Sequence, residues 1–206
     1  MEGQAQETSC GWNMKQSELI KQLSDKELKL NLLFSQLLFL GISILLSLFL
    51  FDHFSDWLLL FDWQLKEIFY FGIIPAFIIV LIDILLINLL PDTAFDDGGV
   101  NRRIFGDQPA SFIFGISLLV AVSEELLFRG VIQSTFGYLF ASILFAIVHI
   151  RYLKKPVLLL SVLLVSFFIG YIFSVTENLI VTITLHFIVD FLLGLYIRFR
   201  SEVHSY

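Results

Sequence analysis

Apolar runs long enough to cross a membrane recur along the chain, and short polar stretches separate them. Asn31 to Phe51 carries no charged residue. At about 1.5 Å of rise per residue, a helix of that extent crosses the roughly 30 Å of a bilayer's hydrocarbon. It predicts the first span. Ile68 to Leu90 predicts a second, with Pro75 expected to kink it and Asp83 expected to face other helices rather than lipid. A third begins with Pro109 at the first helical position and runs through Glu124, Glu125 and Arg129 to Gln133. Tyr138 to Ile150, Pro156 to Val175 and Leu179 to Tyr196 predict the remaining three. The expected fold is an all-α polytopic membrane bundle of about six transmembrane helices, some of them broken or tilted.

The polar stretches set the orientation. Residues 1–30 read as a polar cytoplasmic tail, with an amphipathic stretch around Leu19 to Leu30 that either lies along the bilayer surface or stays solvated. Asp52 to Lys66 combines aspartates, His53 and two tryptophans, which suits an interfacial loop with an aromatic belt. Pro91 to Gln108 is the main polar connection. Basic residues gather in the tail, at Arg102 and Arg103, in the turn from Arg151 to Lys155, and at Arg198 and Arg200. Six spans with both termini in the cytoplasm satisfy that alternation, and predict a multi-pass protein of the cell membrane. The tail lacks the basic start and immediate apolar core of a cleaved signal peptide. Residues 31–200 read as one membrane domain.

Composition narrows the classes of function. The chain is 57% hydrophobic and only 16% charged, with a mean hydropathy of +0.85, too little polar surface for a soluble domain of this length. The formal net charge of -6 and the lack of a large Lys and Arg cluster argue against nucleic acid as a partner. Cys10 is the single cysteine, which excludes a disulfide within the chain and disfavours cysteine-based metal or nucleophile chemistry.

Against this apolar background each ionisable residue is costly. Glu124, Glu125, Arg129, His149, His186 and Asp190 stand out, with Asp83 more isolated. Glu125 and Arg129 are four residues apart, so they share a helix face and can pair. Glu124 points about 100 degrees away. Arg129 is therefore expected to neutralise Glu125 and leave Glu124 free as a base. Phe145 precedes His149 by one helical turn and lines the same face. Asp190 follows His186 by one turn and is placed to fix its tautomer or to anchor it against another helix. The set offers a base, a second proton handler and a group able to face a developing oxyanion. Alternatives to hydrolysis by these groups are hydrogen bonds between packed helices, a zinc site of two histidines and one or two carboxylates, and an ion or proton pathway. There is no His-Glu-x-x-His on one helix, and the polar residues do not recur in two matched halves.

Ser123 to Gly130 reads Ser-Glu-Glu-Leu-Leu-Phe-Arg-Gly. This resembles the Glu-Glu-x-x-x-Arg signature of the CPBP family, the CAAX-processing and bacteriocin-processing (Abi) membrane proteases related to the Rce1-type prenyl endopeptidase. Phe145-Ala-Ile-Val-His149 resembles the second motif of that family, and His186-Phe-Ile-Val-Asp190 the third. The resemblance, over roughly residues 110–195, implies a glutamate-dependent intramembrane endopeptidase that uses no metal or other cofactor. Carried over by position, Glu124 and His149 match the residues that activate water, and His186 with the residue at 190 matches the pair at the oxyanion site. Glu125, Arg129 and Phe145 match supporting positions. The third motif is usually written with Asn, and an ionised Asp190 accepts hydrogen bonds without donating, so it is either protonated or serves only to orient His186. The resemblance also implies a membrane-associated peptide or protein substrate. The short loops resemble bacterial members, some of them linked to bacteriocin immunity. It leaves open a zinc-dependent protease, a non-catalytic immunity or binding role, and homo-oligomerisation.

One tension remains in the expected topology. Straight full-length helices place Glu124 about 22 Å in from the cytoplasmic end, whereas His149 adjoins a basic turn assigned to the cytoplasm. A tilted third span, a longer fourth helix or a half-helix lining a water-filled cavity would each reconcile them.

Overall fold

The computed structural model describes residues 22–91, 94–95, 97–149, 152 and 155–203. Most of the expected tail, Asp92 and Asp96 of the polar connection, and Arg151 and Lys154 of the basic turn lie outside the described residues.

Seven helices account for nearly all of what is described. We number them α1 (Asp25–Leu50), α2 (Leu65–Leu89), α3 (Val100–Phe105), α4 (Ala110–Phe136), α5 (Tyr138–Val148), α6 (Pro156–Thr176) and α7 (Leu179–Val203). Five of them, α1, α2, α4, α6 and α7, are long and apolar enough to cross a membrane, and α5 is a shorter apolar helix. The protein is an all-α polytopic membrane bundle.

Several helices are longer than their charge-free runs. α1 starts at Asp25 because Ser24 caps it. The Ser24 hydroxyl accepts from the Glu27 amide at 3.3 Å, while the Ser24 amide donates to the Glu27 carboxylate at 2.7 Å. Charged residues do not break a helix once it is capped, so Asp25 to Leu30 continue into the span instead of forming a separate surface segment. α7 likewise runs past Tyr196, and Arg198 pairs with Glu202 at 3.2 Å one turn later. Pro109 sits one position outside α4, as its N-cap.

Two long helices contain π-helical turns. In α2 the wide turn spans Ile68–Ile73, just ahead of Pro75. Proline has no amide hydrogen to donate and crowds the preceding turn, and one loosened turn accommodates both defects. In α4 the π segment is Leu126–Gln133, immediately after the glutamate pair.

The packing of α1 is inside out. Its buried residues are mostly polar and include Ser47 at 1% exposure, whereas Phe49 is 79% exposed. Water would penalise such an arrangement; lipid favours it, because apolar side chains face hydrocarbon and the polar ones find partners within the bundle. The apolar core has two clusters. Ala76 and Val80 of α2 meet Ile169 and Ile172 of α6 and Val181, Leu185 and Val189 of α7. Phe128 of α4 is wedged edge-on between Phe39 of α1 and Phe145 of α5, with ring centroids 5.9 and 5.0 Å apart.

The ends of the bundle are tied separately. At one end Arg103 of α3 pairs with Asp25 at 2.6 Å and donates to the Leu23 carbonyl, and Gly106 lies against Ser201 of α7. The start of α1 and the end of α7 are therefore neighbours. At the opposite end Asn178 caps α7 through the Ile180 amide at 3.0 Å and donates to the Asp62 carbonyl at 2.7 Å. There the short 3-10 helix Phe54–Leu60 leaves Phe54, Leu58 and Leu59 exposed and sets Trp57 against Phe51 and Gly130. That placement suits an interfacial loop.

Asp83 is half-buried on α2.

Candidate active site

The depth conflict is resolved by the length of α5. Gly137, at φ 89°, reverses the chain in a backbone region that favours glycine. Glu124 is 13 positions before this reversal and His149 is 12 positions after it. Climbing α4 and descending α5 therefore take nearly the same number of residues, the descent being about 18 Å at the α-helical rise. The short helix brings His149 back to the level of Glu124, which a full span would have overshot. α5 is the half-helix among the three ways of reconciling them.

α4 supplies Glu124, Glu125 and Arg129, all buried; Glu125 and Arg129 are both 0% exposed. Arg129 Nε stands 3.4 Å from Glu125 Oε2. Neither atom has a hydrogen-bond partner, so the pair is held by charge and not by an aligned hydrogen bond. The guanidinium is fixed from the other side, where Nη2 donates to the Ser166 carbonyl at 3.1 Å and to its hydroxyl at 3.3 Å. It also stacks over the Phe145 ring, 5.2 Å from the centroid.

Glu125 reaches a second partner on another helix: its Oε1 is 2.9 Å from Nδ1 of His186. The other nitrogen, Nε2, faces Asp190 Oδ2 at 3.4 Å. A neutral imidazole carries one N–H, so both contacts are satisfied together only by an imidazolium or by a protonated carboxyl group. Asp190, about one-third exposed at its side chain, is placed as a holder of His186.

His149 caps the C-terminus of α5. Its Nδ1 is 2.7 Å from the Phe145 carbonyl oxygen, which can only accept. Nδ1 must therefore carry a proton, and Nε2 is the nitrogen left to exchange one. The Phe145 ring lies 4.7 Å from that of His149, tilted by 34°, and 6.2 Å from that of His186, so one aromatic side chain touches both histidines.

Glu124 differs from its neighbour. Among the described residues no cation pairs with it directly. Oε1 accepts from Gln36 Nε2 of α1 at 3.4 Å, and Oε2 is buried without a hydrogen-bond partner. His149, His186 and Asp190 lie within electrostatic range of its carboxylate. The six residues singled out in the sequence thus come together at one place, with Phe145 between them.

Among the described residues no three His, Cys, Asp or Glu side chains converge so as to hold a metal ion. Both nitrogens of His186 face carboxylates, whereas His149 engages only Nδ1 and keeps Nε2 open.

Sequence reasoning missed the uncharged members of the site. Gln36, Ser123 and Ser166 are buried against the charged cluster. The only signal was a glutamine within the uncharged run of α1.

Buried acids and histidines converging from α4, α5 and α7 define the class: a polytopic membrane protein with a cluster of ionisable side chains inside the bundle. Residues 106–192 match the family described as Type II CAAX prenyl endopeptidase Rce1-like. The chain belongs to this Rce1-like group of CPBP and CAAX-protease membrane proteins. It is also 38% identical over 174 residues to the uncharacterized protein YpbD of Bacillus subtilis (strain 168), covering 83% of this chain and 92% of that protein. No solved structure matches it significantly.

Proposed function

We propose that the protein is an intramembrane endopeptidase that hydrolyses a peptide bond of a membrane-associated protein or peptide, without a metal ion. The observation that carries this reading is the contrast within the glutamate pair. Glu125 is committed to Arg129 and His186, whereas Glu124 keeps one buried oxygen free beside two histidines from other helices.

In the proposed reaction Glu124 Oε2 takes a proton from water as the water oxygen bonds to the scissile carbonyl carbon. His149 Nε2 steadies and shuttles that proton. The 3.4 Å contact between His186 Nε2 and Asp190 is the looser of the two on that ring, so this N–H is the donor that can turn to the developing oxyanion. Collapse of the tetrahedral intermediate breaks the C–N bond, and the proton passes to the departing amine. Asp190 orients His186, as an acceptor should.

The bundle end with Lys26, Lys29, Arg102, Arg103, Arg198 and Arg200 is assigned to the cytoplasm, because the opposite loops carry Asp52, Asp56, Asp62 and Glu177 with Lys66 as the nearby cation. Both termini then face the cytoplasm.

The test uses purified protein in liposomes with two fluorogenic peptides, one ending in a prenylated CAAX tail and one anchored by an unprenylated apolar helix. Glu124→Gln, His149→Ala and His186→Ala are each expected to lower cleavage by about 100-fold or more, with no response to a strong chelator. Activity that a chelator removes and zinc restores would replace this mechanism with a metalloprotease. Variants that cleave as well as wild type would remove the catalytic role of the cluster.

A further inference from the structure

α1 and α2 lie outside the residues that match the family, 106–192. Even so, α1 sets a polar side chain directly against the Glu124 carboxylate. Gln36 is 3% exposed, on a helix whose Phe34, Leu37, Leu45, Leu48 and Phe49 are exposed. Its Nε2 is 3.4 Å from Glu124 Oε1, and its Oε1 is 2.5 Å from the Ser123 hydroxyl.

The two ends of an amide are nearly identical in shape, so its orientation follows from what it faces. With the amide reversed, the carbonyl oxygen would meet a carboxylate oxygen, acceptor against acceptor. As placed, the Ser123 O–H donates to the amide oxygen and the amide NH2 donates to the carboxylate, so every contact has a donor. Ser123 has one proton to give and also lies 2.8 Å from the Leu119 carbonyl and 3.1 Å from that of Val120. The Gln36 contact is the shortest of the three.

We propose that Gln36, oriented by Ser123, is a positioning residue that holds Oε1 of Glu124 and thereby reserves Oε2 for the attacking water. The proposal rests on the reading of Glu124 as the base. It makes the first span part of the catalytic unit, although that helix lies outside the recognised family region.

The test has a readout that needs no substrate. An apolar carbodiimide reacts with buried carboxylic acids in their protonated form, and mass spectrometry measures its addition to Glu124 and, as an internal control, to Glu125. Gln36→Met removes the donor that favours the ionised form, so labelling of Glu124 at one fixed pH is expected to rise about three- to ten-fold. That is the weak end for a hydrogen bond to a charged acceptor, because 3.4 Å is long. Labelling of Glu125 should stay unchanged.

Gln36→Glu, when ionised, keeps the acceptor for Ser123 and sets a second negative charge beside Glu124 in place of the donor, so Glu124 should label at least as fast as in Gln36→Met. Ser123→Ala should give a smaller rise, and Ser123→Thr, which retains the hydroxyl, should return to the wild-type rate. In cleavage assays Gln36→Met should lower kcat with little change in KM.

Unchanged Glu124 labelling in both Gln36 variants overturns the proposal, as does a parallel rise at Glu125, which would mark general loosening. If Gln36→Met does not fold, Gln36→Glu and the Ser123 pair decide the matter. Glu124-dependent cleavage without a labelling response would remove the positioning role and leave the protease reading standing. The expected labelling response in a protein that cleaves neither peptide would support the Gln36 contact and remove the protease reading.

Discussion

Replacing Arg129 by methionine tests the buried charge pair beneath the site most directly. The substitution keeps an unbranched apolar stem but leaves Glu125, at 0% exposure, without its guanidinium. Removing one partner of a fully buried pair costs about 3–5 kcal/mol, because the other charge stays behind without compensation. Arg129 also gives up two donations to Ser166, at 3.1 and 3.3 Å, and its stacking on Phe145. Glu125→Gln should cost less, since Arg129 keeps its Ser166 partners and the new amide oxygen can still accept from His186. The double variant removes both charges and should be more stable than the sum of the single losses predicts, with a coupling of about 2 kcal/mol or more. Arg129→Lys should fall between wild type and Arg129→Met, because the contact at 3.4 Å is one of charge and not of an aligned hydrogen bond. Reversible unfolding in mixed micelles, followed by circular dichroism, measures all four. Additive losses, or an Arg129→Met variant within about 1 kcal/mol of wild type, would show that the pair does not stabilise the bundle as argued.

Three further outcomes are expected. Glu124→Gln should fold normally while losing activity, with a melting temperature within about 2–4 °C of wild type, the shift that roughly 1 kcal/mol produces at this size; a large drop would make Glu124 a structural residue. Gly130→Ala should destabilise by about 1–3 kcal/mol, because the added Cβ would sit 2.8 Å from Trp57 Cζ3. Adding Trp57→Leu should recover part of that loss, and a melt that shows no recovery would place the strain elsewhere. In intact cells lacking Cys10, a membrane-impermeant maleimide should label Asp52→Cys but not Arg102→Cys; the reverse pattern would invert the assigned orientation.

Five of the six expected spans were legible because lipid demands unbroken apolar runs, the run from Tyr138 being too short to cross, and the costliest residues in those runs pointed to the candidate site. Glu124, Glu125, Arg129, His149, His186 and Asp190 were each conspicuous for being ionisable where charge is penalised. Their partners were less visible. The i to i+4 relations, Glu125 with Arg129 and His186 with Asp190, follow from helix geometry, but the contact of Glu125 with His186 depends on how α4 packs against α7. Gln36 and Ser166 carry no charge and raise no alarm in an apolar run. The π turns of α2 and α4 leave no periodicity that could be separated from an ordinary helix. Helix ends also escaped, since Asp25 to Leu30 and Arg198 to Val203 are polar yet fully competent to continue a helix.

The brevity of α5 has a consequence for how the sequence can change. His149 meets the level of Glu124 only because the residues before and after Gly137 nearly match in number. A substitution on the lipid side of this hairpin leaves that match intact. One residue inserted or deleted in α5 shifts His149 by about 1.5 Å and swings it by about 100 degrees, out of alignment with Glu124. In this stretch the length of the chain is a stricter constraint than the identity of most of its side chains.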